Sequence, residues 1–326
     1  MYPIKLKPIL KQHIWGGEAL LDMKKGQRLR VDKNKIYGES WDVSGIEGNI
    51  SQITNGFLKG NNLQEAIEVY MGELVDEEVF ERYGLEFPLL LKTLHCKDKT
   101  SVQVHPDDDL AAERHDCCGK TEMWYIVDAE PQALLHIGFK DPKITREQYI
   151  DAVAKGTVSD IIEPVSVKAG DAFVIPSGTV HSISGGVTLI EIQQPVDLTY
   201  RIFDWNRVDS NGNSRELHTA YAVDAIDFTS TAEACKRNYT IRTNEAVEIA
   251  HCDYFTCNII KLEQNAERQL GKIESFVLYY CTEGSAEIIT DDGSESLRRG
   301  EVVLIPADAN DITLVGNATL LEYYID

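Results

Sequence analysis

The sequence predicts an all-β-dominated fold of two jelly-roll β-barrels, with helices inserted around the first barrel. Three observations support this prediction. Short runs rich in Val, Ile, Tyr and Phe recur between turn residues, a motif in the middle of the chain returns near its end, and two segments have the spacing of amphipathic helices. Many short strands separated by turns are typical of closed barrels and jelly rolls.

The predicted strands are the apolar runs that Gly, Pro, Asn and Asp interrupt at short intervals. Among them are TSVQVH, EMWYIV, DAFVIP, VTLIEIQ, SFVLYY, AEIIT and EVVLIP. Their β-branched and aromatic residues favour extended backbone, whereas the intervening residues favour turns.

A weak internal repeat indicates two related β units. The segment KAGDAFVIPSGTVH, starting at Lys168, resembles RRGEVVLIPADAND, starting at Arg298, and it aligns His181 with Asp311. TLIEI and KTEMWYIV match TLLEY and KIESFVLY in the same order. A repeat this short can also arise from strand and turn composition alone. If it is real, the second unit lacks the histidines of the first, and the chemistry belongs to the first.

The helical spacing lies in two segments. Apolar residues at intervals of three and four predict a helix from about residue 62 to 83, with Asn62 as its N-cap and Gly84 as its stop. The same pattern predicts a second helix from Thr145 to Lys155. We expect the longer helix to pack on a sheet rather than to bind a partner.

Composition and charge narrow the class of function. The chain has 326 residues, of which 26% are charged and 43% hydrophobic, as in an ordinary globular protein. Its formal net charge of −21 disfavours binding to nucleic acid and to anionic membranes. An anionic substrate would need a local basic pocket.

The expected location is the cytoplasm. The start of the chain has no apolar run of signal-peptide length, and no stretch is long enough to cross a membrane. The seven cysteines are odd in number and include no CxxC, which favours reduced thiols. A metal or redox role for the adjacent Cys117 and Cys118 stays open but is disfavoured, because thiolate zinc sites usually use spaced pairs.

A polar row along one strand is the first candidate for chemistry. In TSVQVHP the alternation of a strand places Ser101, Gln103 and His105 on one face and two valines on the other. This row could line a cavity or lie on a solvent-facing edge strand. In GKTEMWYIV, Lys120 and Glu122 share a face directly before a buried run.

The third candidate segment is GDAFVIPSGTVH, which reads as a strand, a tight turn and a histidine on the returning strand. The spacing of Gly170, Pro176, Gly178 and His181 resembles the second motif of the cupin barrels, which bind a divalent metal inside a jelly roll. With His105 and Glu122 the set is two imidazoles and a carboxylate, which suits Zn²⁺ or Fe²⁺.

The resemblance extends to one family. The ordered motifs KQHIWGG, GESWDVSG, FPLLLKTLHCKDKTSVQVHPDD, GKTEMW and YRIFD resemble type I mannose-6-phosphate isomerases, most closely their short bacterial form. The match covers about the first two-thirds of the chain. The last third fits as the family's metal-free second barrel.

The resemblance implies a role for individual residues. It places the family's zinc ligands on Gln103, His105, Glu122 and His181, with one Zn²⁺ per chain. It places the catalytic groups on Arg201, Lys120 and Glu191, and the phosphate contacts on Ser101 and Arg207.

These residue types suit the chemistry of an aldose–ketose isomerase that works through a cis-enediol. Such an enzyme needs an acid and a base near neutral pKa and positive charge beside the oxygens that become negative. The residues do not decide whether Lys120, Glu191 or a metal-bound water moves the proton. In the absence of the resemblance, Arg201 and Arg207 read as surface arginines near Asp204.

We therefore expect a metal-binding catalytic barrel in residues 1–215 and a second, metal-free cupin-like barrel in residues 216–326. The expected reaction interconverts D-mannose 6-phosphate and D-fructose 6-phosphate. A cupin Fe(II) dioxygenase and a non-catalytic sugar-binding cupin are the alternatives. The expected partner is a small sugar phosphate, and the chain is expected to be a monomer or a weak homo-oligomer.

Overall fold

β-strands dominate the computed structural model of the chain, which describes residues 1–27, 29–208 and 212–325. Its strands are β1 (Ile4–Lys7), β2 (Ile9–Gln12), β3 (Tyr37–Val43), β4 (Gln52–Ile53), β5 (Leu90–Cys96), β6 (Val102–Val104), β7 (Glu122–Ala129), β8 (Leu134–Phe139), β9 (Ile162–Ser166), β10 (Ala172–Ile175), β11 (His181–Ile183), β12 (Val187–Gln193), β13 (Tyr200–Phe203), β14 (Lys236–Arg237), β15 (Ala246–Cys252), β16 (Phe255–Gln269), β17 (Val277–Thr290), β18 (Gly293–Arg298), β19 (Val302–Ile305) and β20 (Asp311–Tyr324).

The helices are short and lie mainly between strands of the first two-thirds of the chain. They are α1 (Ala19–Met23), α2 (Leu63–Tyr70), α3 (Gly72–Val75), α4 (Glu77–Tyr83), α5 (Asp108–His115), α6 (Arg146–Lys155), α7 (Val158–Ile161), α8 (Thr219–Ala225) and α9 (Ala232–Cys235), with a 3-10 turn at Leu270–Lys272. None of the described helices has the length and apolar character needed to span a bilayer.

Within the described residues the strands form three sheets. A seven-stranded sheet has the order β14-β10-β7-β12-β5-β3-β2, and a five-stranded sheet has the order β13-β6-β11-β8-β9. An eight-stranded sheet has the order β15-β16-β20-β17-β19-β1-β4, with β18 paired to β17. The predicted β-dominated fold is confirmed. Each sheet is an open path, so the predicted pair of closed jelly-roll barrels is not confirmed.

Apolar clusters hold the sheets together in layers. Trp124, Ile126 and Leu189 of the seven-stranded sheet pack with Leu135 and Ile183 of the five-stranded sheet. The opposite face of the seven-stranded sheet packs on the eight-stranded sheet in a second cluster. Because side chains alternate along each strand, the seven-stranded sheet has one face toward each neighbour.

The predicted helix over residues 62–83 is broken into three helices, so its prediction as one helix is wrong. Asn62 does cap α2 with a capping box, and Gly84 ends α4 with φ 59°. Between them the backbone leaves the helical region at Met71, with φ 46° and ψ −122°, and at Asp76, with φ 87° and ψ 150°. Apolar spacing survives such breaks, so it did not reveal them. The helix predicted from Thr145 is confirmed as α6, with Thr145 as its cap.

Backbone conformation supports the internal repeat. Gly170 has φ 88° and Gly300 has φ 82°, and each precedes a four-residue strand, β10 or β19. The next strand then begins at His181 in one unit and at Asp311 in the other. The two segments thus have the same sequence of turn, strand and returning strand.

Strand pairing corrects the register of the fainter match. Trp124 lies opposite Phe173 of β10, and Tyr279 lies opposite Val303 of β19. Since Gly170 corresponds to Gly300, Phe173 corresponds to Val303. The counterpart of Trp124 is therefore Tyr279, three residues beyond the Phe276 that the sequence match suggests.

Two strands pair with strands from the other predicted domain. β1 pairs with β19, and β14 pairs with β10. The division at residues 215 and 216 stays a prediction, and these two pairings cross it.

Candidate active site and metal centre

Two facing sheets bring the candidate residues together. The five-stranded sheet supplies Gln103 on β6, His105 just after it and His181 at the start of β11. The seven-stranded sheet supplies Glu122 at the start of β7 and Glu191 on β12. His181 lies directly opposite Gln103 in the pairing of β11 with β6. Residues far apart in sequence therefore meet where the two sheets face each other.

His105, Glu122 and His181 form a compact and fully buried group. Their ligand atoms all lie within 4.8 Å of one another. Glu122 Oε2 is 3.6 Å from His105 Nε2, and Glu122 Oε1 is 3.4 Å from His181 Nε2. Among the described residues, the buried His105 Nε2 and Glu122 Oε1 have no hydrogen-bond partner. Buried polar atoms without partners are costly, which indicates a missing ligand between them.

The orientation of both imidazoles fits metal binding. His105 Nδ1 is 2.9 Å from the carbonyl oxygen of Leu198, and His181 Nδ1 is 2.8 Å from that of Thr179. A carbonyl only accepts, so each Nδ1 carries the proton and donates it. Each Nε2 is then an acceptor aimed at Glu122. Second hydrogen bonds of this kind fix metal-ligating histidines in many proteins.

Burial sets the charge of the group. Burial lowers the pKa of His105 well below its usual range, with the Lys120 ammonium and the His181 imidazole adding to the effect. Burial lowers the pKa of His181 to about 4. Burial, together with the negative charge of Glu191, raises the pKa of Glu122 to about 7, against the opposing Lys120 ammonium. Neutral imidazoles at physiological pH are the form that binds metals.

Gln103 completes the group from one side. Its side-chain amide is 3.1 Å from His181 Nε2, and its carbonyl oxygen accepts a hydrogen bond from Ser101 Oγ at 3.3 Å. The polar row predicted along TSVQVHP therefore faces the interior. The alternative of a solvent-facing edge strand is wrong.

The donor set fits a divalent metal. Two neutral imidazoles and one buried carboxylate, with the Gln103 amide beside them, suit Zn²⁺ or Fe²⁺. The burial, the unpartnered acceptors and the carbonyl-oriented histidines all agree with such an ion.

A chain of alternating charges extends from this centre. Lys120 Nζ is 2.8 Å from Glu122 Oε2 and 3.7 Å from Glu191 Oε1. Lys92 Nζ is 3.1 Å from Glu191 Oε1 and 4.0 Å from Glu39 Oε2. Trp124 Nε1 donates to Glu191 Oε2 at 2.9 Å. Each charge in the chain thus has an oppositely charged neighbour, although these side chains are largely removed from water.

This arrangement keeps Glu191 ionised. Burial alone would raise the pKa of Glu191, but the ammonium groups of Lys120 and Lys92 lower it below the ordinary value. Burial tends to lower the pKa of Lys92, and the carboxylates of Glu191 and Glu39 reverse this and raise it. Glu191 and Lys92 are therefore a carboxylate and an ammonium at neutral pH.

A cavity of about 300 Å³ opens onto these groups. Of the predicted site residues, Ser101, Gln103, Lys120, Glu191 and Arg201 line it. The three candidate metal ligands are at most 1% exposed and adjoin the cavity through Gln103 and Lys120, which contact His181 and Glu122. A larger cavity of about 560 Å³ lies beside Cys117 and Cys118, and its described lining includes none of the predicted site residues. The smaller cavity is therefore the candidate substrate site.

Arginines gather at one end of this cavity. Arg201, on β13, lines the cavity, and its buried Nε has no hydrogen-bond partner among the described residues. Arg215 also lines the cavity and binds Asp204 through two nitrogens, at 2.8 and 2.6 Å. Arg207 binds the same carboxylate at 2.5 Å but is not among the lining residues. Two guanidinium groups thus bind the Asp204 carboxylate, and Arg201, which also interacts with it electrostatically, directs an unpartnered N–H group at the cavity end.

Sequence reasoning missed several groups of the cavity wall. Lys92, Glu39, Asp197 and Arg215 are the charged ones, and His13 and Trp15 also line the cavity. A signal for Lys92 was present, since a lone lysine interrupts the apolar run FPLLLKTL. A charge inside a buried strand needs a partner, and that partner is Glu191.

Comparisons with known proteins decide the family. Residues 4–132 match the profile of the catalytic domain of type I phosphomannose isomerases, and residues 245–325 match the cupin domain of mannose-6-phosphate isomerases. The putative mannose-6-phosphate isomerase YvyI of Bacillus subtilis is 34% identical over 331 residues, covering 99% of each chain. The chain belongs to the type I phosphomannose isomerase family.

Further matches to mannose-6-phosphate isomerases support this assignment to the phosphomannose isomerase family. The mannose-6-phosphate isomerase ManA of Bacillus subtilis is 32% identical over 99% of each chain. The crystal structure of the mannose 6-phosphate isomerase from Bacillus subtilis superposes with a TM-score of 0.88 at 32% identity, covering 100% of both chains. The predicted isomerase class is confirmed. The isomerase class is therefore preferred to the two alternatives, a cupin Fe(II) dioxygenase and a non-catalytic sugar-binding cupin.

Proposed function

We propose that the chain interconverts D-mannose 6-phosphate and D-fructose 6-phosphate, with one zinc ion per chain. The observation that carries this proposal is the placement of unpartnered metal-ligand atoms directly beneath a cavity lined by an acid–base pair and arginines. Its relatives of 32–34% identity are named for the same isomerisation. The cavity of about 300 Å³ is of the size expected for a small ligand.

The proposed metal ligands are His105, Glu122 and His181, with Gln103 as a fourth. A bound zinc ion would act as a Lewis acid toward the sugar oxygens. The role of this chain's residues is to hold the ion dry and in place. The carbonyl oxygens of Leu198 and Thr179 orient the two imidazoles for that purpose.

Proton transfer between C2 and C1 is assigned to the pair Lys120 and Glu191. Glu191 is an ionised carboxylate in a site shielded from water, so it can accept the carbon-bound proton. Lys120 Nζ lies 3.7 Å away and can exchange a proton with a sugar oxygen. Proton removal from C2 and delivery to C1 through a cis-enediol then gives the ketose.

The arginine end of the cavity is assigned to the phosphate and to developing negative charge. Arg201 offers an unpartnered Nε, and Ser101 offers a hydroxyl on the cavity wall. Arg207 is proposed as a further phosphate residue. It binds the Asp204 carboxylate, which also binds the cavity-lining Arg215. Guanidinium groups bind phosphate oxygens in a bidentate way.

The deciding experiment is NMR of mannose 6-phosphate with the purified protein in D₂O, with and without a strong chelator. We expect fructose 6-phosphate carrying deuterium at C1, loss of turnover on chelation and recovery with zinc. Turnover that persists after complete removal of the metal would contradict the zinc dependence. Absence of turnover by folded, zinc-loaded protein would reject this substrate.

A further inference from the structure

A buried polar network joins the eight-stranded sheet to the strands beside the active site. Thr93 Oγ1 donates to Asp42 Oδ2 at 2.5 Å and is 2.7 Å from the hydroxyl oxygen of Tyr280. Lys24 Nζ lies 2.7 Å from the Asp42 carboxylate and donates to the carbonyl oxygen of Gly300 at 2.8 Å. We call these residues the Asp42 network.

The direction of these hydrogen bonds is determined by the carboxylate. Asp42 only accepts, so the single proton of Thr93 Oγ1 is used toward it. The Tyr280 hydroxyl therefore donates to Thr93. Tyr280 lies on β17 of the eight-stranded sheet, so its hydroxyl connects that sheet to the network. All of the side chains are at most 3% exposed, so water cannot replace a lost partner.

The same two strands carry the Asp42 network on one face and the active site on the other. On β3, Asp42 faces the eight-stranded sheet, whereas the neighbouring Trp41 and Glu39 lie with the cavity residues. On β5, Thr93 faces Tyr280, whereas the next residue, Lys92, reaches Glu191. Alternation along a strand produces this arrangement.

We propose that Tyr280 is a positioning residue of the isomerase site. Its hydroxyl fixes Thr93, and Thr93 fixes the neighbouring Lys92 against Glu191. The eight-stranded sheet would thus affect the rate of the reaction, although it supplies none of the proposed ligands or acid–base groups. This inference rests on the proposed function, because it is Glu191's role that makes the position of Lys92 matter. Misplacement of a catalytic group by about 1 Å can cost a factor of about 10² in rate.

The adjacent Tyr279 is a matched control. It lies on the same strand and is equally buried, but it faces the interior of the eight-stranded sheet, where its hydroxyl donates to Glu322 at 2.5 Å. Glu322 is also bound by Asn258 and Arg268. Both tyrosines therefore lose buried hydrogen bonding when changed to phenylalanine; Tyr280 also loses a bond accepted from Lys24 Nζ at 3.3 Å, and only Tyr280 bonds to a strand of the active site.

The experiment compares Tyr280→Phe with Tyr279→Phe in the full-length, zinc-loaded enzyme. We expect both to lower the melting temperature, and only Tyr280→Phe to lower kcat, by at least about fivefold, with KM within about twofold of wild type. The KM should hold because the proposed phosphate contacts lie outside β3 and β5. An unchanged kcat in Tyr280→Phe, or an equal loss in Tyr279→Phe, would overturn the inference.

Thr93 provides a second pair of variants in case Tyr280→Phe does not fold. Thr93→Ser keeps the hydroxyl and should keep most of kcat, whereas the similarly shaped Thr93→Val should lose it as Tyr280→Phe does. Equal kcat values in these two variants would count against the inference. A wild-type enzyme without turnover would instead reject the proposed function, so the two failures are distinguishable.

Discussion

Lys92 and Glu191 face each other across β5 and β12, with Nζ 3.1 Å from Oε1. Both side chains are buried, and Lys120 lies on the other side of the carboxylate. The ammonium group of Lys92 thus balances the charge of Glu191, as a bound metal ion would balance the charge of Glu122. Each buried carboxylate is balanced by a dedicated positive neighbour, and the two carboxylates share Lys120.

Replacement of Lys92 should shift the pH profile of the enzyme. In Lys92→Met, Glu191 loses one of the two ammonium groups that lower its pKa, while burial still raises it. The acidic limb of kcat/KM should therefore move to higher pH, and kcat/KM at pH 7 should fall by at least about tenfold. Initial rates from pH 5 to 9 measure both effects.

Lys11→Met is the control for this substitution. Lys11 also contacts the ring of Trp41, at 4.0 Å, but it is not among the residues lining the cavity. It should leave the acidic limb in place. A Lys92→Met enzyme with a wild-type pH profile would remove the proposed role of Lys92.

Zinc affinity should depend on a single proton between pH 5 and 7. In the metal-free protein the pKa of Glu122 is raised to about 7, whereas those of His105 and His181 are lowered, the latter to about 4. Between pH 5 and 7 His181 is then already neutral and the lowered pKa of His105 favours its neutral form, so zinc displaces chiefly the proton of Glu122. The apparent dissociation constant should increase about tenfold per pH unit below pH 7 and be level above it.

Competition with a chelator at several pH values measures this slope. Two ordinary imidazoles would add their protons and make the slope approach three below their usual pKa of about 6.5. A slope of two or three would show that the histidines are not held neutral by burial. Glu122→Gln should lose zinc at every pH, and His136→Asn, a half-buried histidine outside the ligand group, should keep it.

Two arginine variants test how the phosphate is held. Arg215 lines the cavity, whereas Arg207 reaches it through Asp204. We expect Arg215→Met to increase KM for mannose 6-phosphate by about 10- to 100-fold, as for the loss of a hydrogen bond to a charged group. Arg207→Met should increase it less. A larger effect from Arg207→Met would make Arg207 the direct contact.

The break between α2 and α3 should be a point of avoidable strain. Met71 has φ 46° and ψ −122°, a conformation that favours glycine, and its side chain is half exposed. Met71→Gly should therefore stabilise the protein by about 1 kcal/mol. Val69→Gly, at an exposed position inside α2, should destabilise it by about 0.5 kcal/mol. Urea unfolding midpoints measure both, and a loss of stability in Met71→Gly would contradict the expected strain.

Local sequence patterns were sufficient for many of the strands, for α6 and for part of the candidate site. Strand alternation placed Ser101, Gln103 and His105 on one face, and the glycine–proline–histidine spacing located the turn before His181. Those features depend on neighbours within about ten residues. The family resemblance added Arg201 and Glu191, which no local pattern distinguishes.

The remaining features depend on contacts between distant segments. Lys92 is paired with Glu191 and Arg215 with Asp204. No spacing pattern in the sequence predicts these pairs. The helix breaks at Met71 and Asp76 preserve the apolar spacing. Open sheet edges, likewise, follow from the pairing of strands across the whole chain.

The pairing of β1 with β19 has a consequence for the order of folding. Ile4 lies opposite Leu304, and β1 also pairs with β4 on its other side. During synthesis β1 must wait for a strand about 300 residues further along the chain, which is made about a minute later at slow rates of translation and sooner at fast ones. The nascent chain therefore carries β1, with its two buried residues Ile4 and Leu6, paired at most with β4 until β19 has been made.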